Sequence, residues 1–310
     1  MSTETNPTGG TKRRRRLGIR GREALWGYGL IAPTALGLGV FYVWPVIQTL
    51  YVSFNSWGPF GGLKWLGLDN YRELFKDEAV GRSLLNSALY TLMVLIGIPV
   101  ALVLANLLNR RLLRGKSFYR VLYFLPVVTM PTAVAMIWRW LLNGDFGLVN
   151  YLLGKVGIHG ANWLSDPNTA LIAIAAVGIW ASLGYNIILF VAGLQSVPDQ
   201  LYEAAELDGA GPVTVFFKVT LPLVSPTVFF VAVITVINAL QVFDLIYLMM
   251  STSANPALPA TRSIVYLFYQ RAFMENDRSY GAAIAFLLMI IIVICTAVQF
   301  RLQKRWVHYE

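Results

Sequence analysis

Reactive side chains are scarce in this sequence. Its single cysteine, Cys295, lies inside an apolar run, which excludes an intramolecular disulfide and a cysteine-based metal cluster. The only histidines, His159 and His308, are far apart in sequence, one in a polar loop and one in the terminal tail, so no histidine catalysis or proton relay is expected. Charge is short as well: Asp, Glu, Lys and Arg make up 13% of the chain, against ~25% for an ordinary soluble domain. A phosphate cradle is also missing. Gly115-Lys116-Ser117 matches only the last three positions of Gly-x4-Gly-Lys-Ser/Thr, because Arg110 stands where the first Gly belongs, and it reads as a basic turn. The expectation is a chain with no catalytic, cofactor-binding or metal-ligating residues of its own.

What is abundant is apolar surface, 56% of residues, in long runs with the charges gathered between them. A spanning helix needs ~20 apolar residues, and six such runs occur, at 30–51, 84–108, 119–142, 170–194, 222–249 and 281–299. The fold class is therefore all-α, a polytopic membrane protein of about six helices. Its parts are a basic tail (1–28), one membrane domain (29–302) and a short tail (303–310). No repeat and no low-complexity stretch stands out beyond the first ten residues.

Six spans put both termini on one side. The N-terminal tail, Arg110 to Arg120, Lys218 and the C-terminal tail (Arg301, Lys304, Arg305) hold sixteen Lys and Arg against eight in the opposite loops, with Arg139 at a helix end. That asymmetry puts both termini in the cytoplasm. The run Lys12-Arg13-Arg14-Arg15-Arg16 could pass for a nucleic-acid arm, but just before an apolar run it reads as an orientation signal, and no nucleic-acid partner is expected. It is not read as a cleaved leader, since the apolar run is too long and lacks a small-residue cleavage site. Trp44, Trp57, Trp138, Trp140 and Trp306 near helix ends suit the interfacial belt. The outer loops are 52–83, 143–169 and 251–280, with a short surface helix expected at 68–75. The inner loops are 109–118 and 195–221.

The second inner loop is unusual. Ser196-Val197-Pro198-Asp199 is a helix start, and Gly209 followed by Gly211-Pro212 is a stop. Leu201, Ala204, Ala205 and Asp208 fall on one stripe whose small side chains permit close approach. A helix lying in the headgroups is the alternative, but Asp199, Glu203, Glu206 and Asp208 have no basic neighbour before Lys218, so an anionic leaflet would repel it. A protein partner with basic groups fits better.

Glu203-Ala204-Ala205, three residues, Gly209, nine residues, Val219, one residue and Leu221-Pro222 fill every slot of a known signature. With it the chain resembles the permease subunits of binding-protein-dependent ATP-binding-cassette importers, of the carbohydrate type related to the maltose transporter. The resemblance runs from Ala32-Pro33 through Gly67-Leu68-Asp69-Asn70-Tyr71 and Tyr119–Pro126 to Gln241-Val242-Phe243-Asp244. It departs at Ser251-Thr252-Ser253-Ala254-Asn255-Pro256, where relatives carry a Gly-Gly-Pro turn. The resemblance implies that Glu203, Ala204, Ala205, Asp208 and Gly209 form a coupling helix seated on a separate ATPase. It also implies the partners: two ATPase copies, a second permease, an extracytoplasmic solute-binding protein and a sugar-like substrate. Gly209 is the residue expected to need positive φ, and Pro222 is expected to open the fifth span.

Polar groups inside spans are costly and mark candidate paths. Here they are Ser182, Tyr185 and Asn186 on the fourth span and Thr235, Asn238, Gln241 and Asp244 on the fifth. Each could equally serve as a hydrogen bond between helices. The resemblance favours the group as a sugar path, with Tyr185 stacking a ring and Asn238 and Gln241 pairing with hydroxyls. Sugars, polyols and sugar phosphates share that chemistry. An ATP-independent carrier or channel is the rival, weakened for ion coupling because Asp244 is the only carboxylate in the proposed spans.

Overall fold

The computed structural model describes residues 19–57, 62–109, 115–250 and 254–307. The arginine run of the first tail, residues 110–114 of the basic inner loop, residues 251–253 and His308 lie outside them. The chain divides into two compact units, Met1–Tyr51 and Val52–Glu310, so a boundary falls within the stretch 29–302. The first unit is helical: Ile19–Leu38 passes through a π-helical turn, Gly39–Val43, into Trp44–Ser53, whose last two residues belong to the second unit. Its apolar part, Trp26–Ser53, is long enough to cross a bilayer and covers the first expected span.

The second unit is nearly all helix. Three more spans, Glu78–Asn109, Ala170–Gln195 and Arg278–Lys304, are long and apolar enough to cross, and two bent pairs supply the rest. The third span is not the straight helix expected over 119–142. Val121–Val128 and Pro131–Leu141 meet at 109°. A residue ahead of proline is driven out of the helical region, and Met130 before Pro131 sits at φ −57°, ψ 132°. The Thr129 hydroxyl donates to the Leu125 carbonyl at 2.6 Å at the end of the first arm.

The fifth span is corrected at both ends. Pro212–Leu223 and Ser225–Leu240 meet at 70°, so Pro222 lies in the entering arm and Pro226 opens the straight helix. Pro226 has no N–H for the Pro222 carbonyl, and the Ser225 hydroxyl donates to that carbonyl instead, at 2.6 Å. The straight arm stops at Leu240. Gln241 caps it, and Asp244–Met250 is a separate helix, so the span does not run on to 249.

Spans two and four carry the packing. Ala101, Ala105, Ile174, Val177 and Phe190 are fully buried between helices, and a Cβ on Gly184 would overlap the Tyr123 carbonyl of the third span. Such close approach is what small residues in membrane helices allow. A two-stranded antiparallel ribbon, Asn55–Trp57 with Leu63–Trp65, adds minor β structure to the all-α expectation. The short helix expected at 68–75 is present as Asp69–Leu74, tied to the ribbon by Asn70, whose amide donates to the Ser53 and Asn55 carbonyls.

The segment 254–280, expected as an outer loop, has a shape that the sequence did not specify. It folds into three helical pieces, Leu258–Thr261, Ile264–Tyr269 and Gln270–Met274. Ile264 and Leu267 are fully buried against Val80 and Ile284. Asn86 of the second span donates to the Pro259 and Arg262 carbonyls, and Ser87 accepts from the Ile264 amide.

Candidate functional site

The acidic helix of the loop after span four forms where its end signals lie. It runs Asp199–Leu207 after the extended Pro198, with Asp208 as the C-terminal cap. The exit is a paired hydrogen-bond motif: the Ala210 amide donates to the Ala205 carbonyl at 2.9 Å and the Gly209 amide to the Glu206 carbonyl at 3.0 Å. That turn needs a left-handed residue, and Gly209 supplies it at φ +69°.

No residue of this helix is buried. Tyr202 leans toward the apolar core formed by spans two, four and five, its hydroxyl 3.4 Å from Thr220 Oγ1. Glu203, Ala204, Glu206 and Asp208 are exposed, Ala205 is half-buried, and Leu207 is 90% exposed. Among the described residues no ion pair or side-chain hydrogen bond engages Glu203, Glu206 or Asp208. Three acids without partners among the described residues beside an exposed leucine are chemically suited to recognition, since a lone carboxylate gains from meeting a cation and an exposed leucine from being covered.

The polar residues of spans four and five separate into two sets. Asn186, 5% exposed, and Thr235 are buried, Ser182 is half-buried, and Tyr185 (43%), Asn238, Gln241 and Asp244 are exposed. Ser182 Oγ donates to the Ile179 carbonyl of its own helix. Among the described residues Tyr185, Asn186, Thr235, Asn238, Gln241 and Asp244 make no side-chain hydrogen bond, so no bond between helices within the chain stands behind these positions. Asn238, Gln241 and Asp244 gather at the break after Leu240, where the chain leaves the helix. The break is fixed from a distance: Ser263 Oγ donates to the Val242 carbonyl at 2.6 Å and accepts from the Tyr266 amide at 3.1 Å.

Two features here escaped the sequence reading. Phe243, Tyr247, Tyr266, Tyr269 and Phe273 form an aromatic cluster beside the break, with Phe243 stacked on Tyr247 at 5.2 Å and Tyr269 on Phe273 at 5.7 Å. The spacing Tyr266, Tyr269, Phe273 is a helical stripe and was the available signal. Nearby lies a charge network in which Arg271 meets Asp77 at 3.0 Å and Glu275 at 2.7 Å, while the Tyr280 hydroxyl also donates to Asp77. Burial works against the Asp77 carboxylate, but the Ala79 amide, the Tyr280 hydroxyl and Arg271 outweigh it and hold its pKa below the usual value.

Comparison with known proteins gives four likenesses. Residues 93–308 match the family described as "Binding-protein-dependent transport system inner membrane component". The chain is 36% identical over 296 residues to the "Probable ABC transporter permease protein YesP" of Bacillus subtilis (strain 168), covering 93% of this chain and 94% of that one. It is 33% identical over 285 residues to the "sn-glycerol-3-phosphate transport system permease protein UgpA" of Yersinia pestis, covering 91% and 95%. In fold it is similar to a chain of a bacterial ABC transporter involved in import of the acidic polysaccharide alginate, with a TM-score of 0.81, 23% identity and coverage of 92% and 96%.

Proposed function

Because the chain belongs to the family of binding-protein-dependent transport system inner membrane components, and is a permease subunit of an ABC importer for a sugar or sugar derivative, we propose that its exposed acidic helix is the seat of a separate ATPase. The observation that carries this is the combination at 199–208: a capped helix, the acids Glu203, Glu206 and Asp208 without partners among the described residues, and an exposed Leu207. Glu203, Asp208 and the alanines meet the ATPase, and Gly209 sets the exit of the chain. Two ATPase copies and a second permease of similar fold complete the transporter in the cell membrane, and both termini lie in the cytoplasm. An extracytoplasmic binding protein delivers the solute to the opposite face.

Ser182, Tyr185, Asn186 and Thr235 belong to the same path as Asn238, Gln241 and Asp244, which meet the solute at the helix break. Their exposure in a single subunit suits a path shared with the second permease. The Yersinia pestis relative is named for sn-glycerol-3-phosphate, a small hydroxylated solute, and amides without partners are suited to hydroxyls. Closure of the ATPase pair would be transmitted through the acidic helix to this bundle. The chain is not read as an ATP-independent carrier.

The test is reconstitution of the chain, its neighbouring permease and the ATPase in vesicles. Uptake of a sugar or polyol should require internal or external ATP on the ATPase side and the loaded binding protein. Uptake that ignores ATP and follows an ion gradient would overturn the proposal.

A further inference from the structure

A cavity of about 310 Å³ opens beside the helical pieces of 254–280, lined by Asn255, Arg262, Tyr266, Gln270, Met274 and Glu275 among others. Most of its polar atoms are already engaged. Asn255 donates to the Leu164 and Met250 carbonyls and accepts from the Ala257 amide. Gln270 accepts from Arg262 at 3.2 Å and donates to Glu275 at 2.9 Å. The second oxygen of Glu275 takes a hydrogen bond from Arg271, which answers its charge.

Two donors are left over. Arg262 is half-buried, and its Nε and Nη1 reach only neutral acceptors, Ser83 Oγ at 3.3 Å and Gln270 Oε1. Among the described residues no carboxylate lies within ion-pair range of it, and its Nη2 has no hydrogen-bond partner. Tyr266 is only 5% exposed and its hydroxyl has no partner within the described residues. Burial, and then the like charge of Arg271, push the Arg262 pKa down despite the attraction of Asp77 and Glu275, and a bound anion would favour its charged form further. A guanidinium with no carboxylate in ion-pair range among the described residues and a phenolic hydroxyl line one pocket, both are donors, and the natural guest of a donor pair with a positive charge is an oxyanion.

We infer that this cavity takes the carboxylate or phosphate group of an anionic sugar or polyol, the substrate class of the path proposed above, on which this inference rests. The cavity adjoins that path through Tyr266, whose ring also packs in the aromatic cluster with Phe243 at 6.1 Å and Tyr247 at 6.0 Å, next to Gln241 and Asp244. Its volume suits one sugar-sized unit. A lipid headgroup would offer the same phosphate chemistry, so the test separates the two sources.

The experiment is isothermal titration of the full chain, assembled with its partner subunits, in phosphatidylcholine nanodiscs and in discs containing phosphatidylglycerol. The probes are galacturonate and sn-glycerol 3-phosphate, with galactose and glycerol as their neutral counterparts. The anions should bind at least about tenfold more tightly than the neutral probes, as a charge-assisted hydrogen bond allows. Arg262→Met should erase that preference, and Tyr266→Phe, which removes one hydroxyl and keeps the ring packing, should reduce it severalfold even if Arg262→Met fails to assemble. Equal binding of both probe classes, or anion binding untouched by either substitution, would overturn the inference. So would phosphatidylglycerol filling the site while soluble anions do not bind. Binding is read without ATP, so the two readings fail separately: ATP-driven uptake with no anion preference leaves the importer standing, and anion binding without ATP-driven uptake leaves the site standing.

Discussion

Residues 199–211 and 254–280 both look like connections between apolar runs, yet the structure treats them oppositely. The first forms a helix with no buried residue and three acids that nothing in the described chain engages. The second is drawn into the core, with Ile264 and Leu267 fully buried and its backbone held by Asn86 and Ser87. The difference lies in what each stretch offers its neighbours. Ile264 and Leu267, three residues apart, place apolar groups on one helix face against the second and last spans. Asp199–Leu207 carries three acids and two small alanines and buries none of its residues, which suits a segment completed by another protein. A segment satisfied inside the chain should fail by unfolding, and one satisfied outside it should fail by losing its partner.

Substitutions can break that contrast or sharpen it. The largest effect on transport is expected at the helix break, where Asn238→Leu, with Gln241→Leu as companion, should lower uptake by about thirtyfold or more if each amide pairs with solute hydroxyls. Melting temperature in detergent should hardly move, because neither side chain bonds within the described chain. Lost stability with intact uptake per folded molecule would return these amides to a structural role. Ser263→Ala should do the reverse. It strips hydrogen bonds from the Val242 carbonyl and the Tyr266 amide, and unfolding should become easier by about 2 kcal/mol, measured as a lower melting temperature.

Gly209 gives the smallest and most diagnostic effect. An added Cβ would meet nothing within 4 Å, so the cost is φ +69° alone. Gly209→Ala should cost about 1 kcal/mol and Gly209→Val clearly more, since a β-branched residue tolerates positive φ least. Equal melting temperatures for the two variants would show that the turn can be remade without a left-handed residue.

The parts of this molecule that were legible in the sequence are those set by local signals. Runs long enough to cross a bilayer were visible, as were Pro198-Asp199 and Gly209 at the two ends of the acidic helix, because capping and hydropathy act within a few residues. Direction was not. Pro126 and Pro131 were present, but an apolar run looks the same straight or bent, and the 109° turn between Val121–Val128 and Pro131–Leu141 depends on how Met130 before Pro131 is forced to extend. The break after Leu240 has no proline or glycine to mark it. It is held by Ser263, and the donor pocket by Arg262 reaching Ser83, contacts between residues remote in sequence. The shape of segment 254–280 was not legible, because its apolar residues are too few to span a membrane and fill a groove between helices that do.

Tyr202 ties the acidic helix to the chain's own core, whereas the helix's exposed acidic face is left for another protein to meet. Glu203→Lys tests it most directly, because Glu203 is exposed and without a bond among the described residues. Reversing a charge at a docked interface typically costs several kcal/mol. The variant permease should therefore insert and melt like the parent but lose co-purification with its ATPase and ATP-driven uptake. A variant that binds the ATPase and transports at the parental rate, or one that loses stability before it loses its partner, would contradict the account.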